Sequence, residues 1–456
     1  MIRNLLFINA FCLLTGCANT ESTSSTQNIN QPEMNEKNQS PEWIYQTNIY
    51  EVNVRQYTQE GTFNAFEKEL PRLKDMGVKT LWFMPITPIA QMNKKGTLGS
   101  YYAAADYTSI NPEFGTMEDF KRLVKSAHDQ GFKVIIDWVA NHTGWDHVWT
   151  KSNPEYFEKD SATGTFKIAS GMDDIIELDF ENPELVKAMI DAMKFWVTEA
   201  DIDGFRLDLA FWVELDFWKK ARPVVDKVKP LFWFADNDTW EHPEYMEVFD
   251  ASYTWKWMHT AKDYYQQNWP VDSLTKLLNF YNKAPGIKSW FTTNHDENSW
   301  NGTEYEKYGD MAIPLAVFSC TWNGIPLIYS GQELPNKKRL EFFERDPIEW
   351  SGKNELHDFY KTLLNLRTTN AALKAGKDSE TIMITTPTQH KLLSYLRKNG
   401  DKKVLVILNL GSSDADFLLN DKNVKGVYKN VFSKEEKELQ NTELNIPAWG
   451  YLVFEK

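Results

Sequence analysis

Cysteine is nearly absent from this chain, with three in 456 residues. Cys12 and Cys17 fall in an N-terminal leader, so Cys320 stands alone in what remains. That excludes an intramolecular disulfide and any cysteine-based metal site in the mature protein. Cys320, between Phe318 and Trp322, reads as a small core residue. Basic runs are missing too. The net charge is −14, which would repel a polyanion, so nucleic acid is excluded as a partner. No apolar run is long enough to span a bilayer; Leu5 to Leu14 is short and broken by Asn9. No glycine-rich phosphate loop follows a strand, and there is no serine nucleophile elbow and no zinc-binding helix motif.

What is present begins with that leader. Arg3 supplies a positive end, and the apolar run closes on Leu14-Thr15-Gly16-Cys17, which resembles a bacterial lipobox. The resemblance implies a signal peptide over residues 1–16, cleavage before Cys17 and acylation of that cysteine. Residues 17–41 are rich in Ser, Thr, Asn, Gln and Glu and bury too little to fold, so they read as a flexible tether. The expected location is lipid-anchored to a bacterial membrane, at the outer membrane or cell surface.

From Trp43 onward, short apolar runs alternate with amphipathic stretches. Strands are expected at 49–54, 80–84, 133–139, 204–209, 231–235, 251–254, 290–293 and 326–329. Helical patterns separate most of them, as at 184–200 and 310–321. Eight such units predict parallel pairing and a closed (β/α)₈ TIM barrel of class α/β over 42–375, with a short insertion at about 143–182. After a last helix near 355–369 the pattern changes to alternating runs such as Lys403 to Leu408, separated by Gly, Asn and Asp turns. Residues 376–456 therefore read as a small antiparallel β-sandwich.

In a barrel, chemistry gathers where strands end at the C-terminal face. The third strand runs into Asp137-Trp138-Val139-Ala140-Asn141-His142, and the fourth is Gly204-Phe205-Arg206-Leu207-Asp208. The fifth ends on Ala235-Asp236, and the seventh leads into Asn294-His295-Asp296. A single such group would be an ordinary ion pair or cap. Four strand ends delivering acids, histidines and an arginine to one rim is a costly arrangement for a purely structural role, because like charges repel. Two carboxyls flanking a scissile bond are what glycoside hydrolysis requires. Arg206 and Asp208, two apart on one strand, point the same way, and the guanidinium is expected to favour an ionised Asp208.

These four segments resemble the α-amylase family, glycoside hydrolase family thirteen. The resemblance implies that Asp208 is the nucleophile and that Asp296 orients the sugar and stabilises the transition state. It also implies that Arg206, His142 and His295 contact the sugar being cleaved. Ser100-Tyr101-Tyr102 with Asp106-Tyr107 is similar to the loop whose tyrosine, here Tyr102, stacks on that sugar. Gly324-Ile325-Pro326-Leu327-Ile328-Tyr329 is similar to the family's eighth strand. The implied partner is an α-glucan oligosaccharide or polysaccharide, cleaved at α-1,4 bonds with retention.

The chain departs from the family in three places. The family's proton donor is a Glu at the end of the fifth strand, where this chain has Asp236, shorter by roughly one C–C bond of about 1.5 Å. Asp238 and Glu241 stand nearby in sequence as alternative acids. Phe211-Trp212 occupy the place of a Lys-His pair, so the leaving-group side is expected to be an apolar stacking surface. Asn141 matches the family's calcium-binding Asn, but six or more oxygens around it cannot be assembled from the sequence, and no cofactor is expected. Two alternatives stay open: a catalytically weakened or inactive surface glucan-binding lipoprotein, and a transglycosylase of the same family.

Overall fold

The computed structural model describes residues 40–387 and 391–456. The signal peptide, the tether and Cys17 lie outside the described residues. Eight parallel strands close into a barrel: β1 (Ile49–Val52), β2 (Thr80–Phe83), β3 (Lys133–Trp138), β4 (Gly204–Leu207), β5 (Phe232–Asp238), β6 (Ala251–Tyr253), β7 (Ile287–Trp290) and β8 (Ile325–Tyr329). They pair in sequence order, and β8 closes on β1. Every strand is almost entirely buried, because crossover helices cover the outside while side chains fill the inside.

Those helices are α1 (Leu70–Met76), α2 (Met117–Asp129), α3 (Pro183–Ala200), α4 (Leu215–Val225), α5 (Trp255–Gln267), α6 (Asp272–Tyr281), α7 (Ala312–Thr321) and α8 (His357–Thr369). Their starts are written in the sequence. Thr116 and Asp119 form a reciprocal capping box on α2. Asn182 caps α3, and Pro183 occupies its first position. Gly204 allows β4 to approach β5, since a Cβ there would lie 2.1 Å from the Phe232 carbonyl oxygen.

One strand lies away from its expected place. The seventh was expected at 290–293 and runs Ile287–Trp290, pairing with β6 at Ala251 and Ser252. Lys288 disguises it, being a buried cation in mid-strand. Its ammonium donates to the carbonyls of Ala284, Pro285 and Gly286, which closes the turn that feeds the strand. The aromatic and β-branched run 291–293 is instead the start of the rim loop.

Beyond α8 the chain forms an antiparallel domain. Its strands are β9 (Glu380–Met383), β10 (Leu392–Asn399), β11 (Lys402–Asn409), β12 (Ala415–Leu419), β13 (Val427–Asn430), β14 (Glu436–Glu438), β15 (Thr442–Ile446) and β16 (Tyr451–Glu455). Six make one sheet in the order β9-β10-β11-β16-β13-β14, and β12 pairs with β15. Alternation decides what each face covers. Leu392, Leu396, Leu405, Ile407 and Phe454 pack with Phe417 and Leu444 of the two-stranded ribbon. Their alternates Leu393, Tyr395, Val404, Val406 and Val453 join the barrel core, where the Tyr395 and Thr321 hydroxyls lie 2.6 Å apart. Cys320 is buried in that same core.

Candidate active site

The site is built at one level of the barrel. Pairing sets Asp137 beside Arg206, Arg206 beside Phe234, and Glu51 between Trp82 and Tyr329. Trp82 and Tyr253 form an aromatic floor, with the Arg206 guanidinium 5.0 Å and 5.6 Å from their ring centres. Arg206 is completely buried. Its Nη1 donates to Asp208 Oδ1 at 2.7 Å and to Asp137 Oδ1 at 3.0 Å, and its Nη2 donates to Asp236 Oδ2 at 2.6 Å. One guanidinium therefore bridges the two acids proposed to flank the scissile bond, together with a third that the motif reading passed over.

Local backbone departures aim these groups. Leu209, immediately after Asp208, is left-handed at φ +40°, a conformation that costs a non-glycine residue roughly 1–2 kcal/mol. Its N–H lies 3.4 Å from Asp236 Oδ2. Strand β5 bulges where its pairing with β6 jumps from Ala235 to Asp238, leaving Asp236 and Asn237 out of register. Bulges re-aim side chains beside active sites, and this one lies at the acid shortened by a methylene. Trp255 Nε1 donates to Asp236 Oδ1 at 3.0 Å, so both carboxylate oxygens of Asp236 are engaged.

Three carboxylates share one cation here, so the balance differs from the simple Arg206–Asp208 pair. Burial, then the charges of Asp137 and Asp236, push Asp208 up to about 8 against the pull of Arg206. Arg206 favours the ionised form of Asp208, as expected from their spacing, and burial with the two neighbouring acids works against it. Asp238 is corrected as an alternative acid. Its carboxylate accepts from Trp240 N–H and Lys256 N–H, both at 2.8 Å, and from the Tyr281 hydroxyl at 2.7 Å, which makes it a structural tie. Glu241 is exposed on the loop beyond it.

The opposite side of the mouth carries Tyr102, His295 and Asp296. Tyr102 stacks on His295 with ring centres 5.4 Å apart and 19° between planes. Its hydroxyl lies 2.6 Å from His295 Nε2 and donates to Asp137 Oδ2 at 3.2 Å. Burial alone would lower the His295 pKa, yet Asp296 and Glu51 hold it well above the usual range. Asp296 is the most open of the acids, with 43% of its side chain exposed. Although desolvation raises its pKa, His295 and Arg206 bring it below the ordinary value. His142 is the opposite case: burial lowers it to about 4, and its Nε2 has no partner among the described residues. A neutral imidazole with a free nitrogen is suited to a sugar hydroxyl.

Six of the seven predicted residues are thus linked through Arg206, Asp137 and the Tyr102–His295 pair, and His142 stands 6.4 Å from Trp212. Asp137 and Glu51 were missed, although a lone acid inside an otherwise apolar barrel strand is a signal in itself. Trp212, 6.4 Å from His142, opens onto a groove of about 810 Å³ that Asn141, Phe180 and Glu177 also line. Phe211 stacks on His242 at 4.7 Å. The Asn141 amide nitrogen lies 3.5 Å from His142 Nδ1, Glu177 is neutralised by Lys167 at 2.5 Å, and no group of three or more His, Cys, Asp or Glu among the described residues is arranged around a metal.

The family model for the alpha amylase catalytic domain matches residues 25–163 and 153–346. The chain belongs to the alpha-amylase family. A second model, the alpha-amylase SusG C-terminal domain, matches 392–453. The crystal structure of a noncanonic maltogenic alpha-amylase from Thermotoga neapolitana superposes with a TM-score of 0.82 at 30% identity, covering 90% of this chain and 99% of that one. An alpha-amylase structure from Lactobacillus plantarum gives 0.81 at 28% identity, covering 91% and 99%. Alpha-amylase 2 of Dictyoglomus thermophilum is 25% identical over 438 residues, 87% of this chain and 74% of its own length. This family member is a glycoside hydrolase acting on α-glucans.

Proposed function

We propose that the chain hydrolyses α-1,4-glucosidic bonds in starch-like glucans or maltooligosaccharides with retention of configuration. The supporting observation is the single guanidinium joining Asp208 and Asp236. The Asp208 carboxylate attacks C1 and forms a glycosyl ester, while the departing oxygen takes the proton of Asp236. Water then loses a proton to Asp236 as it attacks C1, releasing the sugar and restoring Asp208. This chemistry needs an ionised Asp208, which Arg206 favours against burial, and a proton on the acid. Asp296 and His295 bind the hydroxyls of the distorted sugar.

The test is the anomeric configuration of the first product of maltoheptaose, followed by NMR, with Asp208→Asn as control. An α product, abolished in Asp208→Asn, is expected; a β product or an active Asp208→Asn variant refutes the mechanism. A second reading, a glucan binder with weakened turnover, is favoured by one observation: both Asp236 oxygens are already engaged by Arg206 and Trp255. Starch binding without measurable hydrolysis by the wild type would select it. We also propose lipid attachment at Cys17 on the strength of the lipobox resemblance; mass spectrometry showing an unmodified Cys17 in the membrane fraction overturns that.

A further inference from the structure

Glu51 takes no part in the mechanism above, yet it is fully buried at the mouth end of β1. Its Oε1 accepts from His295 Nδ1 at 2.5 Å and from the His295 backbone N–H at 3.3 Å, which fixes both the ring and the loop that carries it. Its Oε2 has no hydrogen-bond partner among the described residues. Burial raises the Glu51 pKa and the contacting His295 opposes that rise, since a buried carboxylate is costly unless a cation faces it. Beyond the ring, Nε2 lies 2.6 Å from the Tyr102 hydroxyl and 3.3 Å from Asp296 Oδ2, and the same hydroxyl reaches Asp137.

We propose that Glu51 is a positioning residue that keeps His295 doubly protonated, so that Nε2–H donates to the Tyr102 hydroxyl and that hydroxyl in turn donates toward Asp137. A neutral His295, its one proton held on Nδ1 by Glu51, would present a bare Nε2. Tyr102 would then turn its proton to the ring, and Asp137 would lose that donor. The charged groups facing His295 come from every side of the mouth: Glu51 on β1, Tyr102 on the loop after β2, Asp137 on β3, Arg206 on β4 and its neighbour Asp296. Arg206 opposes the cation, Glu51 and Asp296 favour it in direct contact, and Asp137 favours it from one residue further away. Among the described residues Glu51 alone hydrogen-bonds Nδ1, the nitrogen on the side away from Tyr102 and Asp296, so it acts on the ring without touching the glucan.

This inference rests on the proposed hydrolysis for its kinetic consequences but not for its spectroscopic one. In the wild type, ¹⁵N NMR of the His295 ring is expected to show both nitrogens protonated at pH 8. A neutral ring there overturns the proposal without any variant, whether or not the enzyme cleaves glucan. In Glu51→Gln, which keeps a hydrogen-bond acceptor and loses the charge, His295 should titrate below pH 8. Its kcat should fall at least about 10-fold with little change in KM, and the alkaline limb of activity should move to lower pH. Glu51→Asp, which retains the charge, should restore the limb. Unchanged kcat and pH profile in a folded Glu51→Gln overturn the proposal. If that variant does not fold, Glu51→Asp decides: a neutral His295 at pH 8 in that variant overturns the proposal, and a charged one supports it.

Discussion

Asp203 and Asp208 bracket the four residues of β4, and their carboxyls behave in opposite ways. Asp203, at the bottom of the barrel, accepts from His128 at 2.7 Å, Lys133 at 3.1 Å and the Val134 N–H at 2.9 Å. Although burial works against it, these partners bring its pKa down to about 2. Asp208, at the top, shares one guanidinium with two other acids and is pushed up to about 8. The bottom spends its cations on neutralising acids, whereas the top leaves acids in excess. Groups so frustrated persist because the surrounding barrel holds them in place.

The strongest way to sharpen this contrast is to restore the missing methylene at the mouth. Asp236→Glu should lengthen the acid past Arg206 and raise kcat on maltooligosaccharides by on the order of 10²-fold, with starch affinity unchanged. If turnover stays the same or falls, the β5 bulge already places Asp236 correctly.

The next largest effect is on stability. The folded-state pKa of Asp208 lies above its unfolded value, so the acid favours folding below about pH 4 and opposes it increasingly as pH rises toward 8. Asp208→Asn removes that opposition. Thermal melts should show the variant with a higher Tm than wild type at pH 8 and a gap that shrinks toward pH 4. A gap that grows on acidification would reverse the sign argued here.

Asp203 gives the mirror image. With a folded pKa near 2, its ionised form contributes roughly 2–3 kcal/mol above the unfolded pKa, lost as pH falls from about 4 to 2. Asp203→Asn should therefore unfold at lower urea than wild type at pH 7, with kcat intact. Equal urea midpoints at pH 7 would show that the His128 and Lys133 contacts contribute nothing net.

This asymmetry explains what could be read from the sequence. The barrel was legible because eight buried runs alternate with helical patterns, and the rim motifs because their polar residues interrupt those runs at strand ends. Glu51 and Asp137 were harder to see, each sitting one or two residues inside a strand where an apolar side chain is the rule. The displaced seventh strand had the same cause, as Lys288 hides within it. Proton occupancy could not be read at all. The Arg206–Asp208 spacing suggests a neutralised pair, and only the fold brings Asp137 and Asp236 to the same guanidinium. Nor does sequence reveal that Asp238, two residues from Asp236, turns into the structure to hold Lys256 and Tyr281.

The smallest expected effect lies where the mouth meets solvent. Trp300, four residues past Asp296, is 52% exposed. Its ring lies 5.2 Å from Phe342, which runs nearly parallel to Tyr102 at 6.2 Å and 17°. An aromatic path thus leads outward from the sugar proposed to sit on Tyr102, and a second sugar could cover the exposed indole. Covering part of that face is worth on the order of 1 kcal/mol, a several-fold change in KM. Trp300→Ala should raise KM for maltoheptaose while leaving that for maltotriose and the Tm nearly unchanged, because the ring is too exposed to carry the fold. A loss that is equal for both substrates would mean that Trp300 acts on Asp296, its close neighbour, and the platform would then have to be sought across the mouth at Trp212.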